Sequence, residues 1–395
     1  MIPYGHGTFL ASIAASREKY EHIGAAPDAE LIVVKLKKAN QFFYNFYSVL
    51  ESQENAFISI DIMLAIEYMI GKANELRMPI SICIALGTNM SGHDGFTVME
   101  EYITRVSQLE GVCICTAAGN ESNMKLHASG IVATRNSTKD IQIRVPENAH
   151  SFPVFIWINP SDRMSVSIKS PVGETVSRAP AIFGTVTQTK LILERSTIAV
   201  HYFFPHQGSG AQFIGVNILD PTPGIWTITL FGDIILNGRF DAWLHMSGFL
   251  TPGIEFLVPD PYVTVTAPAT SRGCIACGAY NDRDGSLYVN SSWGPTRIMT
   301  DNPDLVAPGV NVTGIYPTGV GIMTGTSVAA AITAGACSLM LQWGIVERND
   351  TSLNTYRIKT YLIRGCSRNP NIQYPNPKWG YGKLNLFNTF TQMRP

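Results

Sequence analysis

Three short segments carry residue types that do chemistry together. His6-Gly7-Thr8 opens a stretch suited to a helix. Ala117-Ala118-Gly119-Asn120 ends an apolar run suited to a buried strand, and Gly325-Thr326-Ser327 opens a second helix-forming stretch. Each alone has a plain reading: a cap or surface residue for the histidine, a turn for Gly-Asn, an N-cap for Gly-Thr-Ser. As a set they are the parts of an acyl-transfer centre. A serine hydroxyl is a poor nucleophile at neutral pH and needs a base within hydrogen-bond reach, and histidine titrates near neutrality. At a helix N-terminus, Ser327 has unpaired backbone N–H groups and a favourable dipole for developing negative charge. The Asn120 amide offers a second donor to an oxyanion. Small residues around all three let an extended backbone come close.

Other chemistry-bearing residues are more easily read as packing. The seven cysteines are odd in number and scattered in apolar runs. Cys274 and Cys277 have zinc-ligand spacing, but no second pair follows, so they read as buried thiols, and no metal or cofactor is expected. His93-Asp94 reads as a solvated loop. Asp282, Asp284 and Gly285 read as a hairpin turn, since the further oxygen ligands of a calcium loop are missing. His201, His206, Trp157, Trp226 and Trp243 read as packing in a β-rich region.

The elements that must position the three segments fall into three stretches. Residues 1–127 alternate helix and strand signals. Ser59–Leu76 places Ile62, Ala65, Ile66, Met69, Ile70 and Ala73 at helical spacing, and Pro79 blocks its continuation. Ile80–Leu86 and Val112–Ala118 are continuously apolar, as strands of a parallel sheet covered on both faces are. Residues 128–262 change to period-two runs separated by Pro/Gly/Asp turns, as in Val154-Phe-Ile-Trp-Ile158 and Ile225-Trp-Thr-Ile-Thr-Leu230, which reads as an all-β sandwich. Residues 263–395 return to the first style, with a long buried helix at Thr324–Leu341. The expected fold class is α/β, a parallel sheet with helices on both faces, interrupted by an inserted all-β, jelly-roll-like sandwich.

The motifs bring a family into view. His6-Gly-Thr-Phe-Leu-Ala, Gly24-Ala-Ala-Pro-Asp-Ala, Ile84-Ala-Leu-Gly, Ala117-Ala-Gly-Asn-Glu121, Asp304-Leu-Val-Ala-Pro-Gly309 and Gly325-Thr-Ser-Val-Ala-Ala resemble, in order and spacing, the subtilisin-like serine proteases. The resemblance covers about residues 5–125 and 263–390. Ala85-Leu-Gly-Thr-Asn, Gly92-His-Asp-Gly95 and Leu341-Gln-Trp-Gly-Ile-Val346 look like the clostridial spore-germination group of that family, which is similar in carrying a β-sandwich insert. The resemblance implies a serine endopeptidase, bacterial and spore-associated or secreted. His6 would be its general base, Ser327 its nucleophile, and Asn120 with the Ser327 N–H its oxyanion hole. It implies that Ala85, Leu86 and Gly87 pair with the substrate as an added strand. Ala117, Ala118 and Gly119 would line the pocket for the side chain before the scissile bond, with Glu121 near its floor, where an acid would favour a basic side chain.

Three departures stand out. The family's triad aspartate precedes the histidine motif on a strand, and His6 is the sixth residue here, so the expectation is a fragment of a longer protease or a truncated product. Ala331 stands where proline is usual and Val328 where methionine is usual. Loss of the orienting carboxylate costs about 10⁴ in kcat in a well-studied serine protease. The competing expectation is an impaired pseudoprotease that binds peptide or protein partners, and a third is a β-sandwich binding protein on an inert scaffold. The expected partners are a protein or peptide substrate and the chain's own N-terminal segment or a propeptide. A balance of 29 basic against 30 acidic residues offers nothing to neutralise nucleic acid. Leu305–Val346 holds no charge, yet its Ala, Gly, Ser and Thr content suits a helix buried within a domain rather than a membrane. Met1-Ile-Pro-Tyr-Gly-His has no signal-peptide character.

Overall fold

A computed structural model describes residues 5–18, 22–53 and 55–393. Residues 1–4, part of the stretch checked for a signal peptide, lie outside them. The first part of the chain forms α1 (His6–Ala15), α2 (Gln41–Phe46), α3 (Ser59–Leu76), β1 (Ile80–Ile84), α4 (Val98–Val106) and β2 (Val112–Ala117). The insert begins with ten strands: β3 (His127–Ile131), β4 (Thr138–Val145), β5 (Phe152–Ile158), β6 (Arg163–Lys169), β7 (Thr175–Ala179), β8 (Val186–Lys190), β9 (Thr197–Phe203), β10 (Gln212–Leu219), β11 (Gly224–Ile234) and β12 (Arg239–Trp243). The short β13 (Glu255–Phe256) completes it, and then come β14 (Ile275–Tyr280), β15 (Leu305–Pro308), β16 (Val312–Tyr316) and β17 (Gly319–Met323). The chain closes with α5 (Thr326–Leu341), α6 (Thr355–Gly365) and α7 (Leu386–Met393).

The central sheet runs β1-β2-β14-β15, and every pairing in it is parallel. β2 and β14 are buried along their whole length, as continuously apolar strands must be when both faces are covered. Strand alternation divides β2 between two cores. Val112 and Ile114 pack with Ile66, Met99 and Ile103 of α3 and α4. Cys113, Cys115 and Ala117 pack with Ala330, Ala334 and Cys337 of α5. α5 is small-residue-rich, so it lies close on the sheet, and α1 packs on its outer side through Phe9, Leu10 and Ile13. The helix pattern passes into a π-helical turn at Gln342–Val346.

β2 and β14 are neighbours in the sheet although the whole insert separates them in sequence. The insert is two antiparallel sheets, β3-β12-β5-β10-β9-β8 and β13-β4-β11-β6-β7. Alternation fills the space between them with Ile143, Ile156, Ile214, Trp226, Ile228 and Phe256. The outer face of the six-stranded sheet carries a second cluster containing Phe155, Trp157 and Trp243. Trp243 stacks between His93 at 4.2 Å and His127 at 4.7 Å.

Two readings are corrected. His93-Asp94 is not a solvated loop: His93 is fully buried under Trp243, and Asp94 is buried in an ion pair with Arg297. Lys190-Leu-Ile-Leu193, which by its apolar run also reads as a strand, does not continue as one. β8 ends at Lys190, and Ile192 and Leu193 turn outward with their N–H groups on the Glu174 carboxylate at 2.7 and 2.9 Å. The β-branched run Leu31–Leu36 pairs with no strand among the described residues, and Leu31 and Val33 are exposed.

Candidate active site

β2 delivers the Ala117–Asn120 segment into the space above α5. Ala118 bonds on both sides: its N–H donates to the Cys277 carbonyl at 3.0 Å, and its carbonyl accepts from the Thr266 N–H at 3.0 Å. Gly119 must be glycine. Its φ of +104° lies in the left-handed region, and an added Cβ would fall 2.8 Å from Ser292 Oγ and Thr266 Cγ2. Its carbonyl accepts from the Ser292 N–H at 2.9 Å.

Asn120 and the start of α5 are joined directly. Asn120 Oδ1 accepts from the Thr326 N–H at 3.0 Å and from Thr326 Oγ1 at 3.2 Å. Thr326 Oγ1 in turn accepts from the Gly119 N–H at 3.2 Å. Of the two amide atoms only the carbonyl oxygen can accept a backbone N–H, so the amide has one orientation, with Nδ2 pointing away from Thr326. A Cβ placed on Gly325 would lie 3.6 Å from that Nδ2, so the amide donor stands beside the α5 N-terminus. Ser327 is the second residue of α5 and half-buried, in a first turn whose N–H groups have no partner within the helix.

His6 is the first residue of α1. Gly5, with φ +84°, starts that helix hard against Pro317. Phe9 then packs against Tyr316, the rings tilted with centroids 4.8 Å apart, and shares a core cluster with Val328, the residue after Ser327. Burial lowers the His6 pKa from 6.5 to about 4, so the ring is neutral at pH 7. Among the described residues, no hydrogen bond links that ring to Ser327 or to any carboxylate.

Ala85, Leu86 and Gly87 follow β1 and are partly buried. Ala85 packs with the α1–α5 cluster, Leu86 with the α3–α4 cluster, and an added Cβ on Gly87 would strike Thr266. Thr88 then pairs with Ala267 through bonds of 2.9 and 3.1 Å.

Glu121, expected near the pocket floor, has its carboxylate engaged within the protein. It is 2% exposed, and its carboxylate accepts from Ser247 Oγ at 2.7 Å and the Ser247 N–H at 3.0 Å. Burial raises its pKa. Both oxygens are engaged by the segment that follows β12, so the carboxylate is not free to select a basic side chain.

Sequence reasoning did not find Thr326, Ser292, Thr266 or Ser247 as supports of the site. Ser247, Thr266 and Ser292 act from more than a hundred residues away, and no local pattern marks them. Thr326 lies inside the quoted Gly-Thr-Ser motif, and its capping chemistry was the available signal.

Comparison with known proteins shows similarity in family and fold. Residues 260–382 match the family model described as the subtilase family, peptidase S8. The solved structure of the CspB protease of Clostridium perfringens is 30% identical, with a TM-score of 0.87, covering 98% of this chain and 80% of that one. Serine protease AprX of Bacillus subtilis (strain 168) is 28% identical over 151 residues, which is 32% of this chain. The match spans 31% of AprX.

Proposed function

The chain belongs to the subtilase family of serine proteases, and from that premise we propose that His6, Ser327 and Asn120 do the chemistry of a serine endopeptidase. Ser327 Oγ attacks the scissile carbonyl while His6 takes its proton. The tetrahedral oxyanion receives hydrogen bonds from Asn120 Nδ2 and the Ser327 N–H. His6 then protonates the leaving amine, and water repeats the sequence on the acyl-enzyme. The substrate lies extended between Ala85-Leu86-Gly87 and Ala117-Ala118-Gly119.

The observation that carries this reading is the double grip of Thr326 on Asn120 Oδ1, which turns the amide donor outward beside the α5 N-terminus. Such preorganisation is useful because the donor need not reorient as charge develops, and each donor of this kind lowers the barrier by about 2.7–4 kcal/mol. The test is covalent labelling with a fluorophosphonate. The probe should attach at Ser327 and fail to attach in Ser327→Ala. Labelling elsewhere, or none in an otherwise competent protein, would remove the assignment.

One observation favours a second reading, a peptide- or protein-binding pseudoprotease. A base whose pKa lies at about 4 is weak, and no carboxylate orients it among the described residues. Residues 1–395 alone are therefore expected to hydrolyse peptide bonds very poorly. Co-expression with a segment that brings an aspartate to the His6 ring should raise the His6 pKa and restore cleavage. A restored chain that binds peptide and still does not cut would favour the binding reading.

A further inference from the structure

We propose that Cys113, Cys115 and Cys337 form a buried site for one soft monovalent d10 ion of the copper(I) class, between the central sheet and α5. The three sulfurs all lie within 4.8 Å of one another, and the Cys115 and Cys337 sulfurs are 3.6 Å apart. Metal–thiolate bonds of about 2.3 Å put three trigonal sulfurs roughly 4 Å apart, so an ion fits between them with little movement. The set is also preorganised. Cys113 and Cys115 alternate onto the same face of β2, and Cys337 comes down on them from α5. Ala334 and Ala330, one and two turns before Cys337, share that core and keep the helix close without filling it.

The chemistry of the donors selects the ion. Thiolates are soft ligands. Zinc closes structural sites with four ligands, and this set offers three, whereas copper(I) is content with two or three sulfurs. Loading exchanges protons and moves no electrons: Cu⁺ with three thiols gives two Cu–thiolate bonds and one Cu–thiol bond, releasing two protons. The product carries one negative charge, which costs less in a dry core than the two of the fully deprotonated set. The ion would tie the strand that leads to Asn120 to the helix that carries Ser327 in its first turn. The proposal does not depend on those residues being catalytic.

The test refolds the reduced full chain without oxygen in the presence of Cu(I), then challenges it with excess chromogenic Cu(I) chelator. One ion per chain should survive in the native sequence and in the Cys366→Ser control. Cys337→Ser should hold copper at least about 100-fold more weakly. X-ray absorption on the native chain, which does not rely on any variant folding, should show three sulfur neighbours at about 2.3 Å. The proposal is overturned if the native chain gives up all its copper, if the neighbours are nitrogen or oxygen, or if Cys337→Ser retains copper equally. It also fails if a Cys115–Cys337 disulfide forms in place of metal binding.

Discussion

Asn120 and Thr326 carry the predictions that belong to single residues. Asn120→Ala removes the proposed side-chain oxyanion donor, and loss of one such donor costs about 10²–10³ in kcat. Activity of the competent enzyme should fall by that factor with KM little changed, because the donor matters only once the carbonyl oxygen becomes charged. Steady-state kinetics with an extended peptide separate the two constants. Thr326→Val keeps the volume and the backbone bond but deletes the hydroxyl shared by Gly119 and Asn120. It leaves the Gly119 N–H without its partner, so a stability loss of about 1–3 kcal/mol is expected, read by urea denaturation. The pH dependence has a definite sign. His6 must be neutral to accept a proton, so rate rises with pH through its pKa and levels off above it. With the pKa lowered to about 4, any activity of this chain alone should be flat above about pH 5. A carboxylate supplied to the ring should move the limb upward towards neutrality.

Helix α5 does two jobs, holding Ser327 at its first turn and filling the sheet face with small side chains. Its close approach has a test. Gly-to-Ala inside a helix ordinarily stabilises by about 0.5–1 kcal/mol. At Gly335, however, an added Cβ would sit 2.6 Å from Ala25 Cβ and 2.8 Å from the Ala14 carbonyl oxygen. Neither contact is a flexible side-chain end, so the clash should win. Gly335→Ala is expected to lower stability by about 1–3 kcal/mol, seen as a fall in the thermal midpoint. A rise would mean that α1 and α5 are looser than the packing described. The strand elements explain a different point. Leu31–Leu36 has the composition of a strand and alternating exposure, yet pairs with no neighbour among the described residues. Composition favours extended backbone, but a strand exists only where another offers its ladder.

At the scale of the molecule, the insert is locked to the protease sheet through buried polar groups. Glu121 holds Ser247, His93 lies under Trp243, and His245 Nε2 bonds the Tyr47 carbonyl at 2.6 Å. Burial lowers the pKa of both His93 and His245 from 6.5 to about 4. Between those values the unfolded chain binds more protons than the folded one. Their contribution is therefore present above about pH 6.5 and is lost as pH falls towards 4, by on the order of a few kcal/mol each. Glu100 and Glu121, raised by burial, act in the opposite sense. The clean measurement is thus a difference: stability lost between pH 7 and pH 5 should be smaller in His245→Gln than in the native chain. Equal losses would show that His245 charges without cost.

What the sequence by itself determined were features written into short windows. Period-two and helical spacing marked the change of style around residue 128 and the return near 263, because alternation and amphipathicity are local consequences of one buried face. The motifs around His6, Asn120 and Ser327 stand out in the sequence because small residues, a cap and a turn lie next to each of these proposed site residues. Only the tertiary structure decided what depends on distant parts meeting. The Glu121 carboxylate is engaged by Ser247, a partner that arrives from 126 residues away. His93-Asp94 was expected in solvent and is buried between sheet and insert. Cys113 and Cys115 carried no metal signal, since the third sulfur arrives on a helix more than two hundred residues later. Burial and pairing are properties of the closed three-dimensional packing, and a local pattern cannot state which remote surface will arrive to supply them.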